Sequence, residues 1–372
     1  MAFFGAPNAY LGVDLGTSSS KIVELIDRKK RIELVTYAEA NVKNLLVNPP
    51  DGNDDAILQT VEALKQMMDR AGTSADSAIA ALPSGSVFST VLMLPNIPES
   101  EMEQAIRFAA RDVVPADIDE MVLGWGRVGS APHMATDKSA PQQAEVDASK
   151  EEQVRAEGTT PVFVTAAPKD VVNRYIAVFD KLQISLLSLE IETFPLVRSL
   201  LTPAAPPTLI IDIGSKATTL HIIDQGIPRV SHTLDVGGYD ITKSIAELLK
   251  IPQEKAEELK TQFGMRADQE ESIRTQIEAV VKRQGEKAID LIALYGQKES
   301  RNISKAIVIG GGSNLQGLTD YWSRQLGVQV AIGNPWKGLA YPDTIGGVLT
   351  EIGPRFSVAV GLALRGFAQP SS

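Results

Sequence analysis

The sequence predicts an α/β protein of two halves built to one plan, with a small α+β subdomain inserted into the first half. Three observations carry this. The unit Asp14-Leu15-Gly16-Thr17-Ser18-Ser19-Ser20, set between two strand-like runs, returns as Asp212-Ile213-Gly214-Ser215-Lys216-Ala217-Thr218. A Pro-rich hinge, Pro203-Ala-Ala-Pro-Pro207, stands directly before the second copy. Between the first copy and that hinge, residues 84–182 follow a different pattern of strands and helices.

Tyr10–Val13 is a short apolar run that stops at Asp14-Leu15-Gly16, and Lys21–Ile26 and Ile32–Ala38 complete a meander rich in β-branched residues. Asp54–Ala71 carries Ile57, Val61, Leu64, Met67 and Met68 at helical spacing, with Gly72 as its stop. Ser77–Leu82 reads as a buried strand and closes residues 1–83, the first part of domain one.

In the insertion, residues 84–182, Val87–Leu94 reads as a strand and Pro98 opens a helix to about Arg111. Asp119–Val128 and Pro161–Ala167 read as two further strands, and Lys169–Leu182 as a helix. The stretch 129–160 between those strands has no Ile, Leu, Phe, Tyr or Trp. It cannot bury enough apolar surface to order itself, so it is expected to be a flexible hairpin loop, with a tethered partner site as the functional alternative.

Residues 183–205 return to domain one and reach the hinge. The second domain, 206–251, opens with the strand Leu209–Ile213, repeats the meander through Leu220–Ile223 and Arg229–Leu234, and continues into the helix Tyr239–Leu249. Residues 252–303 read as a charged helical subdomain, in which Ile273, Ile277, Val280, Val281, Ile292 and Tyr295 share roughly one face of a helix running Asp268–Gln297. The second domain resumes over 304–353 with the strand Ala306–Ile309, and 354–372 is a closing helix expected to return to the first domain.

Composition narrows the function. Thirty-six basic against 46 acidic residues leave a net charge of −10, which disfavours nucleic-acid binding and direct docking on anionic lipid. Without cysteine there is no disulfide, thiolate metal site or cysteine nucleophile. The three histidines, His133, His221 and His232, show no zinc-ligand spacing. The N-terminus lacks the features of a secretory signal, and no unbroken apolar stretch reaches the roughly 18 residues of a membrane span. A cytoplasmic protein that meets a membrane only through partners is expected.

The repeated unit suits a phosphate clamp. Glycine lets the chain turn tightly, successive N–H groups can converge on phosphate oxygens, and Thr and Ser add donors. The carboxylates Asp14 and Asp212 suit a hydrated Mg²⁺, which needs few protein ligands. A single Asp-x-Gly is equally an ordinary hairpin turn; two copies in matching strand contexts favour the clamp. Gly310-Gly311-Gly312-Ser313 after a buried strand would admit a flat base or sugar, although strand-to-helix turns often carry glycine as well. No GxxxxGK[ST] occurs, and the GxGxxG at Gly124–Gly129 opens no helix.

These residues resemble the actin, sugar kinase and heat-shock chaperone superfamily, and within it the FtsA/PilM branch. The inserted subdomain carries the resemblance to that branch. The opening Met1-Ala-Phe-Phe-Gly5, the segment Ser188-Leu-Glu-Ile-Glu-Thr-Phe-Pro-Leu-Val-Arg198 and the closing Phe356-Ser-Val-Ala-Val-Gly-Leu-Ala-Leu-Arg365 are similar to the PilM family. The long stretch 129–160 departs from that family's brief connection, and the seven residues from Gly366 to Ser372 are too short for the membrane helix of FtsA.

The resemblance implies an actin-like two-domain ATPase fold, a duplicated mixed sheet with flanking helices and ATP·Mg²⁺ in the cleft. It assigns Asp14, Gly16, Thr17, Ser18, Ser19 and Lys21 to a first phosphate loop and Asp212, Gly214, Ser215 and Thr218 to a second. Gly310, Gly311, Gly312 and Ser313 would line the adenosine, and Gly237 and Gly238 open the helix before the small subdomain. Glu254, Glu257 and Lys260 match a motif that contacts ribose and adenine, or are solvated helix charge. Glu192 stands where a water-positioning carboxylate is expected, although Thr193 replaces the usual proline. By the same resemblance the chain is a scaffold of type IV pilus or related secretion assembly, peripheral to the inner membrane. It would hold the N-terminal cytoplasmic tail of a PilN-like single-pass protein, meet other platform proteins, self-associate, and hydrolyse ATP slowly if at all. An FtsA-like filament protein is the alternative, and a sugar or acyl kinase a weaker one, since no catalytic Asp has a convincing context.

Overall fold

The computed structural model describes residues 8–50, 52–127, 134–135, 158–265 and 271–368. The chain divides into two compact units. One holds the chain up to Arg198, Gly338–Tyr341 and the stretch from Val358; the other holds Ser199–Lys337 and Pro342–Ser357.

In the first unit, β1 (Ala9–Leu15), β2 (Ser20–Arg28) and β3 (Arg31–Ala40) form the antiparallel meander. β4 (Ser77–Leu82) and β9 (Ser185–Ile191) extend it in parallel with β1, and with the short β7 (Met134–Ala135) the order is β3-β2-β1-β4-β9-β7; α4 (Thr193–Leu200) follows β9. Near-continuous apolar runs in β1 and β4 are what a strand covered on both faces requires. The helices α1 (Asn53–Ala71) and α3 (Lys169–Leu182) supply cover: Leu64, Met67, Val171, Val178 and Phe179 join Leu11, Val13, Ala78 and Ala80 in one buried cluster. The α1 helix stops as its sequence demands, with Gly72 left-handed at φ 66°.

The insertion is a separate three-stranded antiparallel sheet, β5 (Phe88–Pro95), β8 (Thr159–Pro168) and β6 (Met121–Arg127), with β8 central. Helix α2 (Glu99–Ala110) covers it, with Met102 and Ile106 packed on Leu92, Leu94, Val162 and Val164. Most of the expected loop 129–160 lies outside the described residues. Within it, β7 (Met134–Ala135) pairs with β9 at Met134↔Leu189, and β8 already includes Thr159 and Thr160, so the expected loop is too wide at its end and interrupted inside. Two residues carry no periodicity, which is why the sequence hid β7.

The second unit repeats the plan. β10 (Thr208–Ile213), β11 (Thr218–Asp224) and β12 (Ile227–Leu234) form the antiparallel meander, and β13 (Lys305–Ile309) and β14 (Gln329–Ile332) run parallel to β10. The duplication extends to register. The first hairpin ends on Leu15↔Ser20 and the second on Ile213↔Thr218. The meanders are irregular at equivalent points, Glu24/Leu25 and Ile222/Ile223.

Around this sheet lie α5 (Gly238–Leu249), α6 (Gln253–Phe263), α7 (Glu271–Glu299) and α8 (Leu318–Leu326). The Asp268 start expected for α7 falls outside the described residues. The buried stripe of α7 is Ile273, Ile277, Val281, Gln284, Ala288, Leu291 and Tyr295, spaced by threes and fours. Val280 and Ile292, expected on that face, are only partly buried.

α9 (Gly346–Ile352) and α10 (Ser357–Arg365) follow through a short 3₁₀ turn at Gly353–Phe356. The run Asp343–Arg365 is long enough, and at mean hydropathy 1.3 apolar enough, to cross a membrane by composition. It is not an unbroken apolar stretch, since Thr350, Glu351 and Arg355 interrupt it. Some 61% of its most apolar window is buried, as in a core helix, with Leu349 and Phe356 in the second unit and Val360 and Leu362 in the first fully enclosed.

Candidate functional site

The two Asp-x-Gly turns close identically. Gly16 N–H donates to Ser19 O at 3.2 Å, and Gly214 N–H to Ala217 O at 2.9 Å. The first residue of the following strand then locks the loop beyond the third strand: Ser20 Oγ donates to Val42 O at 2.9 Å, and Thr218 Oγ1 to Val236 O at 2.7 Å. A Cβ on Gly16 would stand 2.5 Å from Ser19 O, so the tightness of the turn requires glycine there.

In the first unit, Asp14 lies beneath its turn at 7% exposure. Burial pushes its carboxyl above the usual range, with Lys21 pulling it partly back and Glu39 adding to the rise. The Lys21 ammonium donates to Ser19 Oγ at 2.8 Å and Ser19 O at 3.3 Å, so it braces the loop. Thr17 is exposed and Ser18 half-buried on the loop's outer side. Asn44, unnoticed in the sequence, seats the loop from behind: its N–H donates to Gly16 O at 2.9 Å, and its amide donates to Leu15 O at 3.0 Å and Tyr175 Oη at 2.8 Å. Glu192 lies apart from this turn in sequence, where one carboxylate oxygen accepts from both Ser84 N–H and Ser84 Oγ at 3.0 Å.

In the second unit, Gly214 O accepts from Gly238 N–H at 3.0 Å and Ser215 O from Tyr239 N–H at 2.8 Å, which ties the loop to the start of α5. Lys260 Nζ reaches from α6 to Gly238 O at 3.2 Å, Thr242 Oγ1 at 3.0 Å and Glu257 Oε2 at 2.7 Å. Thr242 Oγ1 also donates to Glu257. Ser313 is buried and its hydroxyl donates to Gly310 O at 2.8 Å.

Of these residues Gly238, Glu257 and Lys260 line a pocket of about 60 Å³, whereas Gly214, Ser215, Gly310 and Ser313 are not part of its lining. Ile213, Ile241, Val281, Leu315 and Leu318 supply apolar walls, and Glu257, Lys260 and Gln284 the polar groups. Gly238, Gly311 and Gly312 line it too. Glu254 is exposed on α6 and is not part of the lining. Gln284, Thr242 and Asn314 were not singled out from the sequence. The available signal was a glutamine at a core position of the α7 stripe.

The glycines here differ in purpose. Gly310 has φ 80° and a Cβ there would collide with Asp212 and Ile213, so the fold itself requires glycine. A Cβ on Gly312 would collide with the Ile213 side chain. A Cβ on Gly311 would meet nothing nearer than Arg355 Cδ at 4.0 Å, and one on Gly238 nothing nearer than Lys260 Nζ at 3.5 Å. Neither has left-handed geometry. Neither position is closed to a side chain by its backbone or its neighbours.

Among the described residues no three His, Cys, Asp or Glu side chains gather as a metal cage.

Comparison with known proteins follows the same lines. A structure of a PilM–PilN type IV pilus biogenesis complex is similar over 97% of this chain and 99% of that one, at 25% identity and TM-score 0.76. MreB5 of Spiroplasma citri bound to AMPPNP shares the fold over 95% of this chain, at 14% identity and TM-score 0.51. The fold is the actin-like ATPase fold. The cell division protein FtsA of Enterococcus faecalis is 23% identical over 267 residues, 68% of this chain and 58% of its own length. FtsA of Streptococcus pneumoniae is 22% identical over 266 residues, 68% of this chain and 56% of its own length, so the chain spans little more than half of these two relatives. FtsA of Neisseria meningitidis is 21% identical over 387 residues, 95% of this chain and 89% of its own length. The model of the type IV pilus assembly protein PilM family matches residues 12–367, and the chain belongs to that family.

Proposed function

We propose that the chain is an adenine-nucleotide-binding scaffold of the type IV pilus, or a related secretion, assembly platform. It holds a PilN-type membrane protein by that protein's short N-terminal cytoplasmic tail. The observation that carries the nucleotide reading is the second unit's pocket, where Gly238 and Gly311 are bare for no reason of folding beside Lys260, Glu257 and apolar walls. The structural likeness to a PilM–PilN complex along the whole chain supports the partner.

In this reading the nucleoside enters the pocket against Gly311, Gly312 and the Gly310–Ser313 turn. Lys260 and Glu257 meet the sugar, and Gly214 and Ser215 present the second loop to phosphate, while the fully buried Thr218 gives its hydroxyl proton to Val236 O and braces that loop from behind. Gly16, Thr17, Ser18, Ser19 and Lys21 form the first clamp. ATP is the ligand, and each loop carries one carboxylate, Asp14 in the first and Asp212 in the second, suited to a hydrated Mg²⁺ that offsets phosphate charge. Glu192, fixed by Ser84, is the carboxylate placed to orient water, and any hydrolysis is slow. The protein works on the cytoplasmic side, peripheral to the membrane through its partners. The tail binds in extended form against the inserted subdomain, through main-chain bonds.

The test is a fluorescence titration with a labelled peptide copying the tail of the PilN-type protein of the same genome, with and without ATP·Mg²⁺. Saturable binding that responds to nucleotide is expected. Absence of binding in both states removes the partner. Separately, Asp14→Ala should weaken Mg²⁺·ATP binding in a folded protein, and unchanged affinity removes the first clamp.

A further inference from the structure

The six-stranded sheet of the first unit ends differently at its two sides. At β3 the outer edge is bonded within the fold: Leu34 N–H donates to Ala340 O and Ala340 N–H to Ile32 O, both at 2.9 Å. At the other side the outer edge of β9 is taken by β7, two residues of the long connection between β6 and β8. They pair antiparallel with it as Met134↔Leu189 and Ala135↔Ser188.

A strand edge presents N–H and C=O groups to any chain that can lie extended along it. β9 runs seven residues, Ser185–Ile191, and β7 pairs with two of them. Of two adjacent antiparallel pairs only one exchanges main-chain hydrogen bonds, so the hold of β7 on the edge is small. Between Gly129 and Thr160 the sequence offers no Ile, Leu, Phe, Tyr or Trp to anchor it further. The edge also lies beside the inserted subdomain, since Ile191 at the end of β9 packs with Phe163 of β8 and with Phe194. An extended chain added along β9 therefore ends against the inserted sheet.

Resting on the partner reading above, we infer that the outer edge of β9 is the strand-addition site for the partner's extended tail, and that β7 is a competitor for it built into the chain. The tail takes the places opposite Ser188 and Leu189, continues along more of β9 than β7 does, and β7 leaves the edge. Two strands cannot share one edge. The tail's apparent affinity is therefore its intrinsic affinity reduced by the fraction of molecules in which β7 is away from β9.

The experiment titrates a labelled peptide copying the N-terminal tail of the PilN-type protein of the same genome into the full chain and two variants. One variant carries Met134→Pro with Ala135→Pro, which removes both N–H groups that could serve the ladder. The other exchanges residues 130–156 for a short Gly-Ser linker, and keeps the test open should the first misfold. Both leave β9 and the inserted sheet unaltered in sequence. Each should bind the tail on the order of tenfold more tightly than the wild type, the worth of the one bonded pair given up. Hydrogen exchange of the wild type with excess tail should show protection lost at Met134 and Ala135 while β9 stays protected. Tail binding of equal or lower strength in both variants, or binding that leaves β7 protected, overturns the inference and leaves the partner reading standing. A gain in the linker variant alone, with the Pro variant folded, assigns the effect to the bulk of the connection and overturns it too. A tail that binds none of the three proteins overturns the partner reading and this inference together.

Discussion

Gly310 and Gly311 are neighbours in sequence with opposite reasons for lacking a side chain. Gly310→Ala forces an L-residue into left-handed φ and a methyl against Asp212 and Ile213. It should destabilise the protein by about 1–3 kcal/mol in urea denaturation. Gly311→Ala adds a methyl to open space, so melting should be unchanged while nucleotide affinity falls on the order of tenfold. Equal affinity in Gly311→Ala would remove the nucleoside from this face of the turn. His221 gives a second residue-scale prediction. It is fully enclosed on β11, its Nδ1 is 2.9 Å from Ser231 Oγ, and burial lowers its pKa from 6.5 to about 4. The folded state therefore favours the neutral ring, and the unfolded chain binds the proton first as pH falls. Its contribution is complete above pH 6.5 and is lost progressively between 6.5 and about 4, amounting to roughly 3 kcal/mol at the lower end. Denaturation curves at pH 7 and 4.5 should diverge less for His221→Gln than for the wild type.

At the scale of elements, the stretch of α10 from Val358 docks in the first unit by close backbone approach. Cβ atoms on Gly12 of β1 and Gly361 of α10 would overlap Ala359 O and Pro195 O respectively. The buried Glu190 of β9 pairs with Arg198 at 2.6 Å and with Arg365 of α10 at 3.3 Å, and Arg198 also donates to Gly361 O. Gly361→Ala should therefore release the helix end and cost at least about 1–3 kcal/mol. Hydrogen exchange of residues 358–365 should rise beyond that of β1. The same network explains what the sequence concealed. β1, β4, α1 and α3 were legible because their apolar periodicity is nearly pure. β9 was not, because Ser188 and Glu190 interrupt it, and their burial depends on partners far along the chain. Likewise the two Asp-x-Gly turns and the triple glycine could be found from local pattern. Gln284 and Asn44 could not, since one depends on Thr218 and the other on Tyr175, contacts that exist only after folding.

Across the whole molecule, the duplication is one of register and hydrogen bonding rather than of sequence. Beyond Asp-x-Gly the two turns share few side chains, yet both close with the same glycine bond, end on the same strand pair and lock through a hydroxyl onto a carbonyl past the third strand. The copies then diverge in what the hydroxyl carries. Ser20 Oγ makes only its bond to Val42 O among the bonds described for it, whereas Thr218 Oγ1 also accepts from the buried Gln284 amide. Removing each hydroxyl should separate the common frame from the contact that the second copy adds. Ser20→Ala strands one carbonyl partner and should cost about 1 kcal/mol. Thr218→Val strands a carbonyl and a buried amide donor, and should cost about 2–4 kcal/mol by the same rule. The two share no hydrogen-bond partner, so the double variant should equal their sum to within about 0.5 kcal/mol. Equal single costs would mean that Gln284 draws nothing from Thr218. In that case the amide is not held, and the second copy differs from the first in sequence only.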